Sequence, residues 1–371
     1  MRRGSFVVVA ALAMCAASAA AAPPPVSAPA YVIRGGPDQV VVAARAPDAR
    51  RAPASITKLM TVLVALELAR LDDVVTIPAA ATSVGESSVA LRPGEQLTVR
   101  DLAVAALVPS ANDAATALAL HVGRGSQPRF VELMNAKAKA LGLTSTHFEN
   151  PHGLDQAGHV SSARDVTTLL TAALRNSFIR EWSARPSATI AGGRILTSTD
   201  GLIGTVPLVG AKTGHTNDAG WSQVAAVERN GVRVTASLLG AATEAQRNAE
   251  LASLLTWGLD QYRRVVVAGD HVYGHADVGY GRAPVPLVAE QDVVRSVRVG
   301  RPLVERVVAS TALALPVTQG QRLGEVRVFS DGRLIARTPL VAATSIPAVG
   351  VAAKAEWYAR RTMHHLFGLV S

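Results

Sequence analysis

Pro53-Ala54-Ser55-Ile56-Thr57-Lys58-Leu59-Met60-Thr61 sets a serine and a lysine three positions apart at the head of an apolar helical run. From Ile56 to Arg70 the apolar residues Leu59, Val62, Leu63 and Leu66 recur at helical spacing, Pro53 stands just ahead, and Ser55 is expected as the N-cap. Residues three apart share a helix face, so the Ser55 hydroxyl and the Lys58 amine can meet. Taken alone, Ser-x-x-Lys is also how a helix start followed by a surface lysine reads. Composition weighs against that. Of 37 basic residues only Lys58, Lys137, Lys139, Lys212 and Lys354 are lysines. Chance matches to Ser-x-x-Lys and Lys-Thr-Gly in one such chain have a joint expectation on the order of 0.01.

Lysine also has a chemical reason to stand at 58. Arginine does not lose its proton in a protein, whereas a buried lysine can be driven neutral and act as a general base. A serine hydroxyl is a weak nucleophile until a base takes its proton, and the positive end of a helix favours the alkoxide. Two further motifs supply the remaining groups. Ser110-Ala111-Asn112 offers a hydroxyl to relay a proton between Lys58 and a leaving amine, and an amide to hold a substrate carbonyl. Lys212-Thr213-Gly214 reads as a strand that closes the site: a positive charge, a hydroxyl for a carboxylate, and a glycine that permits close backbone approach. The backbone N–H groups of Ser55 and His215 are candidates for an oxyanion hole.

Working outward, Tyr31–Ile33 and Val40–Ala44 read as a hairpin, Asp101–Val122 as helix interrupted near Pro109, and Gln127–Leu141 as a third helix. Ser162-Ala163-Arg164-Asp165 resembles a capping box opening a helix through Leu174. Gln223–Val227 and Val232–Leu239 flank Asn230-Gly231, a hairpin signal, and Glu244–Tyr262 returns to helix. From about Val265 short β-rich runs alternate with Gly and Pro turns, which predicts a small all-β domain. Ala352, Ala355, Ala359, Met363, Leu366, Phe367 and Val370 then line one face of a C-terminal helix. Lys354, Arg360, Arg361, His364 and His365 fall mostly off that face, which suits a membrane interface or docking on its own domain.

At the N-terminus, Arg2 and Arg3, the apolar Phe6–Met14 and the small residues Ala16–Ala22 have the layout of a signal peptide, with the cut placed after Ala20 or Ala21. The one cysteine, Cys15, falls inside it, so no disulfide or thiolate metal site is expected in the mature chain. The expected organisation is a signal peptide (1–22), a catalytic domain (23–262), a β-rich domain (263–346) and an amphipathic helix (347–371). With 49% hydrophobic and 18% charged residues a sizeable core can form. The net charge of +9 would suit an anionic partner, but aromatics are 4% and the arginines are scattered, which argues against nucleic acid. His147, His152, His159 and His215 lack metal-ligand spacing, so no metal or other cofactor is expected.

The ordered set Ser-x-x-Lys, Ser-x-Asn, Lys-Thr-Gly resembles the active-site-serine penicillin-recognising enzymes. Longer strings narrow the resemblance to low-molecular-mass D-alanyl-D-alanine carboxypeptidases: Pro53–Thr61, Leu91-Arg92-Pro93-Gly94-Glu95, Ser110-Ala111-Asn112-Asp113-Ala114-Ala115, Asn150-Pro151-His152-Gly153-Leu154-Asp155 and Lys212-Thr213-Gly214-His215-Thr216. It covers roughly residues 30 to 262. It implies an α+β penicillin-binding-protein/β-lactamase-like domain, an antiparallel sheet with helices, followed by the β domain. It further implies peptidoglycan stem peptides as substrate, β-lactams as covalent inhibitors, and peripheral membrane contact through the C-terminal helix.

By the same resemblance Ser55 is the acylated nucleophile and Lys58 its base, with Ser110 and Asn112 completing the proton network. Lys212, Thr213, Gly214 and His215 bind substrate, and Arg247, placed by its distance from the Lys-Thr-Gly strand and by the downstream Glu250, joins Lys212 and Thr213 on the terminal carboxylate. The chain departs from the family at Thr197-Ser198-Thr199-Asp200-Gly201-Leu202, where an Asn-x-Asn-x-Leu-Leu segment is usual, and at Ala211, where a larger aliphatic is common. These departures leave substrate preference open. A DD-endopeptidase using the same residues, a β-lactamase, and a non-catalytic envelope scaffold with a vestigial site remain as alternatives.

Overall fold

The computed structural model describes residues 5–10 and 22–367, with side chains described from 22 to 363. Arg2, Arg3, Cys15 and the expected cut after Ala20 or Ala21 lie outside the described residues, as does Val370 of the C-terminal apolar face. The chain divides into two compact units, Ala21–Gln261 and Tyr262–Ser371, the latter grouped with Met1–Ala20.

In the first unit, strands β1 (Ala30–Gly35) and β2 (Val40–Arg45) form the expected hairpin. Helices α1 (Lys58–Leu68), α2 (Val99–Leu107), α3 (Asn112–Val122), α4 (Gln127–Ala140) and α5 (Ala163–Ala173) follow. The meander β3 (Leu208–Thr216), β4 (Gly220–Arg229) and β5 (Val232–Ala241) and the helix α6 (Glu244–Asp260) complete it. The sheet is antiparallel in the order β2-β1-β5-β4-β3, so the N-terminal hairpin closes against the last strand and Lys212-Thr213-Gly214 lies on the edge strand β3. Asn230 and Gly231 both take positive φ, 55° and 73°, as a two-residue hairpin turn demands.

Helix α1 is apolar nearly all round, and Lys58 through Ala65 are buried among α2, α3, α4 and α5. Such a helix is stable only inside a core. The interruption expected near Pro109 separates α2 from α3, and α2 starts earlier than the apolar pattern indicates because Thr98 and Asp101 form a capping box. Ser162 caps α5 as expected. Thr167 on α5 donates to Ser237 of β5, which donates in turn to the Ala163 carbonyl, so a buried polar pair pins helix to sheet. Helix α6 approaches the sheet at Gly258, where a Cβ would lie 2.7 Å from Val234 and 3.2 Å from Ile33.

One local expectation is corrected. Ser55 is not the N-cap of α1: Ala54–Thr57 forms a 3₁₀ turn, α1 begins at Lys58, and Thr57 in the cap position makes no side-chain cap bond. Ala54, at φ 48°, turns the chain abruptly into this segment. In a 3₁₀ turn residues three apart eclipse, which brings Ser55 over Lys58. The strand pairs Val74–Thr76 with Gln96–Thr98 and Ser187–Ile190 with Arg194–Thr197, and the helix Ser177–Trp182, are too short to show periodicity in the sequence.

The second unit is the expected β domain. Strands β6 (Tyr262–Ala268) and β9 (Val293–Arg298) pair with each other. Strands β7 (Val272–Ala276), β8 (Val285–Ala289), β10 (Leu303–Ser310), β11 (Arg322–Ser330) and β12 (Arg333–Ala342) form a sheet in the order β10-β11-β12-β8-β7. Ser5–Ala10, the first part of the expected apolar leader, runs antiparallel along the outer edge of β10. Val326, Val328 and Leu340 point into this unit's core, and Asp331-Gly332 makes the tight turn between β11 and β12. A final helix, α7 (Val351–Phe367), sets Trp357 and Tyr358 edge-on against Tyr280. Both units together make the α+β domain followed by an all-β domain that the sequence predicts.

Gly258→Ala tests the seating of α6. Overpacking a closed helix–sheet contact costs about 1–3 kcal/mol, and the unfolding free energy from urea titration should fall by that amount, the midpoint moving to lower urea with the slope unchanged.

Candidate active site

Lys58 is fully buried, and its Nζ lies 2.7 Å from each of three atoms: Ser55 Oγ, Asn112 Oδ1 and the His152 carbonyl oxygen. Burial pushes its pKa well below the ordinary lysine value, and the neighbouring Lys212 charge adds to the fall, opposed by Glu86 and Asp113. A neutral amine has two N–H donors and one lone pair. Asn112 Oδ1 and the His152 carbonyl can only accept, so they take the two donors, and the lone pair is left facing the Ser55 hydroxyl. This is the geometry of a base about to receive the serine proton.

Each contact is built by a segment whose sequence explains it. Asn112 is the first residue of α3, and its own Nδ2 donates to the Gly85 carbonyl, which orients Oδ1 toward Lys58. The amide is therefore committed to holding Lys58 and the 85–91 loop. Beside it, Asp113 accepts from Ser88 Oγ and from the backbone N–H of Val89 and Leu91. The His152 carbonyl belongs to the Asn150–Asp155 turn. Asn150 Oδ1 accepts from Gly153 N–H, Thr61 donates to the Pro151 carbonyl, and Asp155 accepts from Thr216 at the end of β3. The turn thus straps α1 to the edge strand. Gly153 has φ 93°, and a Cβ there would come within 2.0 Å of the Ala54 carbonyl oxygen, so only glycine fits against the nucleophile turn.

Ser110, at φ 68°, holds a backbone conformation costly for a residue with a side chain. Its hydroxyl accepts from Lys212 Nζ at 2.8 Å, while the Lys58 contacts are those named above. Ser110 is thus tied to Lys212 rather than directly to Lys58. Lys212 also donates to the Thr213 carbonyl, and burial lowers its pKa to about 7, with the Asp200 charge raising it and the Arg247 charge lowering it. Gly214 packs against the nucleophile turn: a Cβ would stand 3.0 Å from Ala54 Cβ and 3.2 Å from the Ser55 nitrogen. That approach brings the His215 end of β3 alongside Ser55.

Arg247 on α6 is 1% exposed. Its guanidinium carbon lies 5.5 Å from the Trp221 ring centroid, and Trp221 in turn stacks on His215 at 4.1 Å. Its Nη2 donates to Glu244 Oε1 at 3.0 Å and to Asn248 Oδ1 at 2.7 Å. The fold therefore gathers Ser55, Lys58, Ser110, Asn112, Lys212, Thr213, Gly214, His215 and Arg247 along one line of contacts. Glu250, used in the sequence to help locate Arg247, instead binds the N–H groups of Ser27 and Ala28. Trp221, Asn248 and the pair Thr199–Thr213, joined at 2.9 Å, escaped the sequence reading because isolated aromatic and polar residues carry no spacing signal.

His152 and His159 are accounted for without metal. His159 Nδ1 accepts from Glu149 N–H, so the ring proton is on Nε2, which donates to Thr57 Oγ1 at 2.9 Å. His152 Nδ1 accepts from Leu154 N–H. Among the described residues no cluster of three His, Cys, Asp or Glu side chains could hold a metal ion.

A partly exposed serine bonded to a fully buried lysine, beside a lysine-bearing edge strand, defines a class, the serine acyl-transfer enzymes. Residues 17–243 match the family described as D-alanyl-D-alanine carboxypeptidase, and residues 261–348 match penicillin-binding protein 5, C-terminal domain. The chain belongs to the D-alanyl-D-alanine carboxypeptidase family, whose members are serine-type hydrolases. It is 33% identical to D-alanyl-D-alanine carboxypeptidase DacA of Escherichia coli (strain K12) over 364 residues, covering 92% of this chain and 89% of that protein. It is 30% identical to D-alanyl-D-alanine carboxypeptidase DacF of Bacillus subtilis (strain 168) over 316 residues, 81% of each. Among solved structures, penicillin binding protein 5 from Haemophilus influenzae superimposes with a TM-score of 0.65 at 29% identity, over 88% of this chain and 100% of that one.

Burial lowers the pKa of His152 to about 3 and of His159 to about 4, against 6.5. Below 6.5 the unfolded chain takes up protons that the folded one does not, so this contribution to stability is complete above 6.5 and is lost as pH falls toward about 4. The melting temperature should drop between about pH 7 and about pH 4.5, and His159→Gln should flatten that drop.

Proposed function

We propose that this chain removes the terminal D-alanine from peptidoglycan stem peptides through an acyl-enzyme on Ser55. The observation that carries the assignment of roles is the buried Lys58 amine at 2.7 Å from Ser55 Oγ. Lys58 takes the Ser55 proton as Oγ attacks the penultimate D-Ala carbonyl carbon. The oxyanion is held by the N–H groups of Ser55 and His215. As the C–N bond breaks, the proton held by Lys58 passes to the leaving amine, with the Ser110 hydroxyl as the group to relay it once substrate bridges the two, and D-alanine departs. Water then attacks the ester with Lys58 again as base, and Ser55 is restored. A β-lactam enters by the same attack and remains as an ester on Ser55.

The carboxypeptidase reading is preferred to the endopeptidase one because an exopeptidase must bind a free carboxylate, and the buried cations Lys212 and Arg247, with the Thr213 hydroxyl, are suited to that group.

The signal-peptide layout supports export, and α7 supports attachment to a membrane surface by its exposed Val351, Tyr358 and Met363. Among the described residues no helix is long and apolar enough to cross a membrane. We therefore read the enzyme as periplasmic and peripheral to the outer face of the inner membrane.

Intact mass after incubation with benzylpenicillin tests the nucleophile. The protein should gain one penicilloyl adduct, Ser55→Ala none, and Lys58→Arg should acylate at least about 10²-fold more slowly because a guanidinium cannot become the base. An unmodified protein with the antibiotic intact would refute the catalytic reading; an unmodified protein with the antibiotic consumed would make it a β-lactamase.

A further inference from the structure

We propose that Asp200 is a positioning residue of the carboxylate clamp: a fixed anion that keeps Lys212 charged and Arg247 oriented for the substrate carboxylate. This rests on the carboxypeptidase reading above.

The geometry comes first. Asp200 Oδ1 accepts from Leu202 N–H at 2.8 Å and from Gln223 Nε2 at 2.7 Å. Gln223 is the cross-strand partner of Thr213, so this carboxylate is anchored directly opposite the Lys-Thr-Gly strand. The preceding residue, Thr199, bonds Thr213 itself. The following residue, Gly201, meets the helix: a Cβ there would lie 2.3 Å from Asn248 Nδ2. Asn248 is the side chain that holds Nε and Nη2 of Arg247. Residues 199–201 therefore touch the strand carrying Lys212 and the partner of Arg247, with Asp200 between those two contacts.

Its second oxygen decides the role. Asp200 Oδ2 is buried and has no hydrogen-bond partner. A buried carboxylate oxygen without a hydrogen bond costs stability unless cations compensate its charge. The charged and titratable groups around it and Lys212 are Arg247 and Glu244 on α6, His215 on β3 and Lys58 on α1. Lys212 and Arg247 repel each other, burial holds Lys58 well below the ordinary lysine value, and Glu244 is half-exposed and paired with Arg247. Asp200, half-buried with its Oδ2 shielded from solvent, is an anion that both cations feel, and it raises the pKa of each. Because Lys212 still titrates at about 7, its charge at neutral pH depends on that anion. An asparagine here would keep the Oδ1 bonds and lose the charge. The aspartate thus tunes how the clamp binds a terminal carboxylate as pH changes.

Removing the charge lowers the Lys212 pKa, so the ammonium is lost at lower pH, while in acid Lys212 is charged either way and the substrate carboxylate is freed from a repelling neighbour. The measurement is D-alanine release from a synthetic N-acylated peptide ending in D-Ala-D-Ala, with kcat and KM determined at about pH 6 and about pH 8.5. For Asp200→Asn we expect KM within about 2-fold of wild type at about pH 6, and roughly 3- to 10-fold above it at about pH 8.5. Asp200→Glu, which keeps the charge, should keep the wild-type ratio of the two KM values even where kcat falls. That variant also carries the test if the asparagine protein does not fold.

A KM raised equally at both pH values would mean a structural role only and overturn the proposal. So would a KM unchanged at both, or an Asp200→Glu ratio that shifts as Asp200→Asn is expected to. In those cases wild-type D-alanine release leaves the carboxypeptidase reading standing. No release from the wild type, with Ser55 still acylated by benzylpenicillin, would overturn that reading and this one with it.

Discussion

The site depends on one dehydrated amine. A lysine in water is a cation and no base at neutral pH; burial in α1 pushes the pKa of Lys58 well below that of a free lysine, toward the neutral amine that can act as a base. Removing it from water requires that its remaining N–H groups meet acceptors, and that is what Asn112 and the His152 carbonyl provide. The all-apolar α1, the start of α3 at Asn112 and the Asn150–Asp155 turn are thereby coupled: shifting any one of them leaves a buried donor unmatched.

Holding this arrangement requires backbone that would not be adopted freely. Ala54 and Ser110 both lie at positive φ, and Gly153 occupies a place where no Cβ fits. The three are among the residues that bring nucleophile turn, α3 and strap together, and the surrounding bonds from Thr61, Asn150, Asp155 and Thr216 determine them more tightly than their local preferences would. The strap also explains two histidines that could be mistaken for ligands. They are neutral hydrogen-bonding elements, one lending its backbone carbonyl to Lys58 and the other steadying Thr57 two residues after Ser55.

The two lysines of the site serve opposite ends by the same physics. Both are buried and both fall below the ordinary lysine value; Lys212 repels Lys58 against the pull of Glu86 and Asp113, while Asp200 draws Lys212 upward against the repulsion of Arg247. Environment, not residue type, separates a base from a charge that binds a carboxylate. The β domain and α7 add none of these groups; the alternation along the domain's strands builds a separate hydrophobic core, and Tyr280, Trp357 and Tyr358 form an aromatic cluster outside it.

Short-range pattern in the sequence sufficed for much of this. Ser-x-x-Lys, Ser-x-Asn and Lys-Thr-Gly stand out because lysine is rare in this chain, and helices, hairpins and the change to β texture near Val265 follow from periodicity and turn residues acting over a few positions. The 3₁₀ turn at Ser55 was not legible, because it is imposed by packing of β3 and the strap on Ala54, not by the local preference for a cap. Nor was the commitment of Ser110 to Lys212, of Asn112 to Lys58, or of Asp200 to the strand across from Thr213. Those pairings join residues far apart in the chain, and their energies arise only when the sheet closes, water leaves, and each buried polar atom must find the partner that folding has placed beside it.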